Sequence, residues 1–235
     1  MAAVNRDERA PPKKDAGRPG RTAQGDGGED VRIPRPMLDA CRSASLLIGG
    51  PGLRRLGITS ALREEGRTSI ALAMAIVQRE DYGRTVALVD MDLERPSHSR
   101  RHGVEPWPGL AELSRGLASA QNVLQKVSDG LFVVTAGVLT SSAARTMAEL
   151  VRLDTLTELE RHVDVVVADL PPLLGGGPGA AGARAFPELV LVIRAGVTPV
   201  ARIKEATEDL HCSPHVLLNA AHTSLPHWLR RLVGP

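Results

Sequence analysis

The sequence predicts one doubly wound α/β domain, a mostly parallel sheet flanked by helices. Three observations carry that prediction. Segments 85–90 (TVALVD), 163–169 (VDVVVAD) and 189–195 (LVLVIRA) are almost wholly apolar, as strands buried on both faces are. Helix-like stretches alternate with them. The apolar fraction is 43% but aromatic residues make up only 2%, so Ala, Val and Leu do the packing, which suits helices laid on a parallel sheet.

Taken in order, residues 1–30 are rich in Gly, Pro, Asp, Arg and Lys and hold almost nothing to bury. A disordered N-terminal tail is therefore expected, bounded at 35, with the folded domain over 36–235. Segment 37–47 reads as a helix stopped by the cluster Gly49, Gly50, Pro51 and Gly52. Then come a strand over 55–60, a helix over 68–78 and the strand 85–90. Segments 110–116 and 118–126 read as helical, 131–136 (LFVVTA) as a strand and 143–162 as mostly helical. The strands 163–169 and 189–195, a helix over 199–210 and a last strand over 215–219 complete the series. No internal repeat is visible.

The charge balance, 29 basic against 27 acidic residues, leaves a net +2 and gives no reason to expect nucleic acid. Cys41 and Cys212 lie far apart and match no metal-ligand spacing, so two reduced thiols in a cytosolic protein are expected. No apolar run approaches the roughly 20 residues that cross a bilayer. The N-terminus is polar, without the apolar core of a secretory signal. The expectation is a cytoplasmic protein, membrane-associated only through a partner.

In open parallel sheets, ligands bind at the carboxyl ends of the strands. Three such ends carry chemistry here. After the strand 55–60 comes Ala61-Leu62-Arg63-Glu64-Glu65-Gly66-Arg67-Thr68-Ser69, running into a helix. A Walker A loop, GxxxxGK(S/T), wraps phosphates in backbone N–H groups, reaches them with Lys and holds Mg²⁺ with its hydroxyl. Gly66 and Thr68 are in register with it, and Arg67 stands where the Lys belongs. Alone, this stretch reads more readily as an ordinary loop. The second end is Asp90-Met91-Asp92, two carboxylates one residue apart, suited to Mg²⁺ and its water or to a solvated acidic turn. The third is Asp169-Leu170-Pro171-Pro172, where an Asp on a buried strand matches a Walker B metal ligand or a helix cap. In this order and on this architecture, the three together are far more specific than any one.

These residues resemble the cytoplasmic domain of bacterial protein tyrosine kinases, the CpsD/CapB type of capsular and exopolysaccharide synthesis, within the wider MinD/ParA/Mrp-like P-loop ATPases. That family reads TSA-x-PGEGKS, DADLRRP and DTPP or DLPP at the three sites; this chain has TSALREEGRTS, DMDLERP and DLPP. The stretch Gly103 to Leu110 with Glu112-Leu113 is similar to the family's PGL segment, and Arg194 to Pro199 to its RAG-x-T segment. The resemblance covers about 36 to 235. It implies a site for ATP or ADP with Mg²⁺, in which Glu65, Gly66, Arg67, Thr68 and Ser69 contact the cofactor. Thr68, Asp90, Asp92 and Asp169 would surround the metal. Arg67, Asp92 and Asp90 would carry the catalysis, Asp92 orienting the attacking group. As partner it implies a membrane-embedded polysaccharide chain-length or co-polymerase protein.

The departures bear on activity. Arg67 replaces the lysine, and a planar guanidinium does not thread between phosphate oxygens as an ammonium does. Glu64 replaces a loop glycine, which puts a carboxylate beside a polyanion. Arg63, which stands at the family's Pro, would offset that in part. The family's C-terminal tyrosine cluster is missing: the one tyrosine is Tyr82. The ring-building E-x-x-R-x-x-R pattern survives only as Asp39, Arg42 and Ser45, which fits a weakened homo-oligomer contact or an internal salt bridge. Trp228 to Leu232 reads as a membrane-surface or partner-docking tail, or as a terminal segment packed on its own domain. Three readings stay open: an active kinase or ATPase, a pseudo-enzyme scaffold, and a ParA/MinD-like positioning ATPase.

Overall fold

The computed structural model describes residues 33–49 and 52–220. In chain order the elements are α1 (Arg35–Leu47), β1 (Arg55–Ser60), α2 (Arg67–Glu80), β2 (Val86–Asp90), α3 (His98–His102), α4 (Leu110–Ser114), α5 (Ala120–Val123) and β3 (Gln125–Ser128). There follow β4 (Leu131–Val134), α6 (Ala143–Arg152), α7 (Leu156–Glu160), β5 (Val165–Asp169), α8 (Gly177–Ala183), β6 (Glu188–Arg194), α9 (Val200–Thr207) and β7 (His215–Asn219). The strands lie in the order β3-β4-β2-β5-β1-β6-β7. Every neighbouring pair is parallel except β3 with β4. This is the expected doubly wound sheet, with one antiparallel edge.

The central strands are apolar on both faces because both faces are covered. Along β2, Leu88 enters a core shared with Ile58, Ile70, Met74 and Val167, on the side of α1 and α2. Its neighbours Ala87 and Val89 enter the opposite core with Met147, Leu159 and Val166, under α6 and α7. The helix α2 is buried nearly all round, from Ile70 to Val77, and its Ala-rich sequence combines high helix propensity with close approach to the sheet. At the centre of β1 there is no room for a side chain. A Cβ on Gly57 would lie 2.6 Å from Leu189 and 2.9 Å from Leu170 and Phe186.

Register then gathers the strand ends. Asp169 of β5 is level with both Asp90 of β2 and Ile58 of β1, so the loops after all three strands open at one edge of the sheet. That is the topological switch point, where ligands bind in open α/β sheets.

Two expected segments differ and two elements are additional. The segment 118–126 is not one helix: α5 is four residues long, and the chain then turns into β3. The stretch 143–162 splits into α6 and α7 around Asp154, whose φ of 47° is left-handed. The short α3 and the Gly-rich α8 were not foreseen. On α1, Arg42 bonds Asp39 at 3.0 Å and Asp81 at 2.9 Å, and Ser45 accepts from Gln78 at 2.6 Å. The remnant of the ring pattern is thus engaged within the chain. The N-terminal tail up to 32 and the Trp228 to Leu232 segment lie outside the described residues.

Among the described residues, no helix is long and apolar enough to cross a membrane. Cys41 is buried and Cys212 half-buried, both as free thiols, and burial pushes the Cys41 thiol up to about 12. Tyr82 is half-buried, with the Arg84 guanidinium 5.5 Å from its ring centre.

Candidate phosphate-binding site

The loop after β1 is built around two charged residues with opposite tasks. Glu65 is buried, and its carboxylate faces the protein. It accepts from the Leu62 amide at 2.8 Å, from the Arg194 amide at 3.4 Å and from the Thr198 hydroxyl. The Glu65 carbonyl accepts from the Asn219 side chain at 2.8 Å. One residue thereby ties the loop to the ends of β6 and β7. Thr59 adds a third tie, donating to the Pro171 carbonyl at 2.9 Å. Gly66 follows with φ 92°, and a Cβ there would collide with the Asn219 amide, so glycine is required twice over. Glu64 also has a left-handed φ, 64°, and is the loop residue exposed at the lip.

Arg67, the first residue of α2, turns inward. Its Nε donates to Asp169 Oδ1 at 3.2 Å and its Nη2 to Asp92 Oδ2. Asp92 also takes Arg63 Nη1 at 3.3 Å, while Arg63 Nη2 reaches the exposed Glu94 at 2.9 Å. Asp169 receives a second partner from the other side, the buried His98, whose Nε2 lies 3.2 Å from Oδ2. Burial alone would raise the Asp169 carboxyl, but the His98 hydrogen bond and the charges of His98 and Arg67 outweigh it, so the group sits below its ordinary value. Asp90 goes the other way. Burial pushes it up and the Asp169 charge adds to that, while His98 and two backbone amides pull back. Those amides, Ser97 at 2.7 Å and His98 at 2.9 Å, both bond Asp90 Oδ2; Oδ1 is buried with no partner.

Behind His98 lies His102, its ring stacked at 5.5 Å between centroids and 6° between planes. Burial, then the charges of His98 and Arg101, lower its pKa to about 4, so it is neutral near pH 7.

A cavity of about 350 Å³ opens above this cluster. Arg63, Glu64, Gly66, Arg67, Thr68 and Ser69 of the first loop line it, with Asp92, Arg95, Ser97 and Arg101 from the stretch after β2. The structure thus brings Gly66, Arg67, Thr68, Ser69 and Asp92 to one cavity, with Asp90 and Asp169 beneath it. Glu65 is the exception among the sequence candidates: its side chain frames the loop and does not line the cavity. Sequence reading missed His98, Arg95 and Arg101. The available signal was position alone, since all three follow Asp92 within one short polar stretch.

Magnesium does not fit these donors as they stand. The orphaned Asp90 Oδ1 would welcome an ion or its water. The position between Asp92 and Asp169, however, is filled by the Arg67 guanidinium. Among the described residues, no group of three or more His, Cys, Asp or Glu is placed to hold a metal.

A parallel sheet whose first strand runs through a glycine-ended loop into a buried helix, with carboxylates at the ends of the neighbouring strands β5 and β2, defines a P-loop fold. No protein-family model matches the chain. It is 27% identical over 169 residues to tyrosine-protein kinase YwqD of Bacillus subtilis (strain 168), spanning 72% of this chain and 71% of that one. It is 27% identical over 160 residues to tyrosine-protein kinase etk of Escherichia coli (strain K12), but spans only 21% of that protein. The solved kinase domain of VpsO superimposes with a TM-score of 0.70 at 24% identity, over 80% of this chain and 95% of that one. Cobyrinic acid a,c-diamide synthase from Mycobacterium smegmatis, solved with an ATP analogue and magnesium, shares the fold with a TM-score of 0.54 at 19% identity, over 70% of this chain and 72% of that one. The homologues of this chain are bacterial tyrosine kinases, and its fold is that of the MinD/ParA-like P-loop proteins.

Proposed function

We propose that the chain is a CpsD/CapB-like subunit of capsular or exopolysaccharide synthesis that has kept the phosphate loop and lost phosphoryl transfer. In this reading it is a scaffold that regulates a membrane-embedded co-polymerase. One observation carries the reading: Arg67, at the place of the loop lysine, is folded onto Asp92 and Asp169. Phosphoryl transfer needs a cation that bridges the terminal phosphates and a carboxylate free to orient the attacking oxygen. Here Asp92 is held by Arg63 and Arg67 together, and it faces the cavity with its negative charge compensated. The single tyrosine, Tyr82, lies in the turn between α2 and β2 and supplies no cluster for autophosphorylation. The polysaccharide context and the membrane partner rest on the likeness to the tyrosine kinases.

The test is incubation of the full chain with labelled ATP and Mg²⁺. Neither phosphotyrosine nor phosphate release above background is expected, for the wild type or for Asp92→Asn. Turnover by the wild type that Asp92→Asn abolishes would overturn the reading. Co-purification with a membrane protein encoded beside it, undiminished in Asp92→Asn, is the expected partner result.

A further inference from the structure

We infer that Arg67 is the resident cation of this site, so that the cavity takes a di- or triphosphate group without a divalent metal. The inference rests on the proposed reading of the cavity as a phosphate site. It replaces the metal that such a site would otherwise need.

The argument is one of donors and charge. A guanidinium has five N–H donors in a fixed planar fork. Arg67 uses one on Asp169 and one on Asp92, which leaves three, and the residue lines the cavity. One group therefore links Asp92, in the loop after β2, and Asp169, at the end of β5, to whatever occupies the cavity, which is the bridging task of a magnesium ion. A metal entering between Asp92 and Asp169 would have to expel a buried guanidinium, which would lose both partners in a region shielded from water. The exchange is unfavourable even before the ion sheds its own hydration.

The rest of the lining asks for an anion. Four guanidinium groups, from Arg63, Arg67, Arg95 and Arg101, face two carboxylates, Glu64 and Asp92. Asp92 is already matched by Arg63 and Arg67. Among the described residues, neither Arg95 nor Arg101 forms an ion pair. Planar forks of this kind match phosphate oxygens bidentately. The opening of the 14-residue helix α2 adds its first amide groups, which have no acceptor within the helix, and the positive end of its dipole. Phosphate groups carry enough charge to engage Arg95 and Arg101 together with Arg67; a carboxylate or a neutral sugar does not.

The experiment is calorimetric titration of the full chain with pyrophosphate and, separately, with ADP, each in EDTA and in excess Mg²⁺. Binding in EDTA is expected, unchanged or weaker once Mg²⁺ is added. Arg67→Lys should reverse the preference, binding weakly in EDTA and more tightly with Mg²⁺. Should that variant fail to fold, Arg95→Gln with Arg101→Gln leaves the buried cluster untouched. It is expected to lose affinity about tenfold or more, the size of a charge-assisted hydrogen bond removed. Wild-type binding that requires Mg²⁺ would overturn the inference, as would full affinity in the Arg95/Arg101 variant. Absence of binding in both buffers overturns it too and leaves the scaffold reading intact, whereas phosphate release with metal-independent binding overturns only the scaffold reading.

Discussion

Glu65 and Arg67 stand two residues apart in one loop, both charged and both buried, and they do opposite work. Glu65 faces the protein and fixes the shape of the loop through the amides of Leu62, in the loop itself, and Arg194, at the end of β6, and the hydroxyl of Thr198 in the turn after it. Arg67 faces the cavity and neutralises its floor. The frame of a phosphate loop is therefore intact while its contents differ. Backbone shape and active chemistry are separable properties of the same nine residues.

The comparison breaks most sharply at Arg67. Replacing it with Ala strands Asp92 and Asp169 as buried charges short of a partner, and roughly 4 kcal/mol of stability should be lost in urea unfolding at neutral pH. Adding Asp169→Asn to that variant should restore part of it, because the orphaned charge is gone. Glu65→Ala should cost about 2 kcal/mol, the loss of a buried acceptor with several donors left behind. It should also weaken pyrophosphate binding although no lining side chain has changed. Equal anion affinity in that variant would show that the frame is dispensable.

Glu64→Gly acts on the lip. A non-glycine residue at φ 64° is strained, so the substitution should stabilise the fold by about 1 kcal/mol and tighten anion binding by removing a repulsive carboxylate. Unchanged stability would mean that the loop relaxes around Glu64. The smallest effect is on pH dependence. His102 is neutral in the fold down to about 4, against an ordinary value of 6.5. The unfolded chain therefore binds a proton first as pH falls. The stability contributed is complete above 6.5 and declines as pH drops from 6.5 towards 4, and His102→Asn should flatten that slope in urea melts.

Much of this was legible beforehand, for identifiable reasons. The strands β2, β5 and β6 announce themselves because a strand covered on both faces has no polar positions to blur it. β3, with the sequence QKVS, did not: it is a sheet edge with half-exposed or exposed residues, and its polarity is that of a loop. α8 was hidden by composition, since GPGAAGA looks like a linker. Two of its glycines are there for proximity: a Cβ on Gly179 would collide with the Pro172 carbonyl, and one on Gly182 would lie 3.0 Å from Met147 Sδ. In the site, the carboxylates could be placed from their strand ends. His98 could not, because a histidine in HSRRH carries no periodicity that would bury it. Nor does the letter at position 67 reveal which way the guanidinium points.

The bond from the Asn219 amide to the Glu65 carbonyl sets up a load path. Asn219 is the last residue of β7, and Gly66 leaves no slack beside it. A shift of the loop must drag the end of that edge strand or break the bond, and a pull on the strand must be felt at the loop. The position of an edge strand and the shape of the loop are thus mechanically tied through one amide.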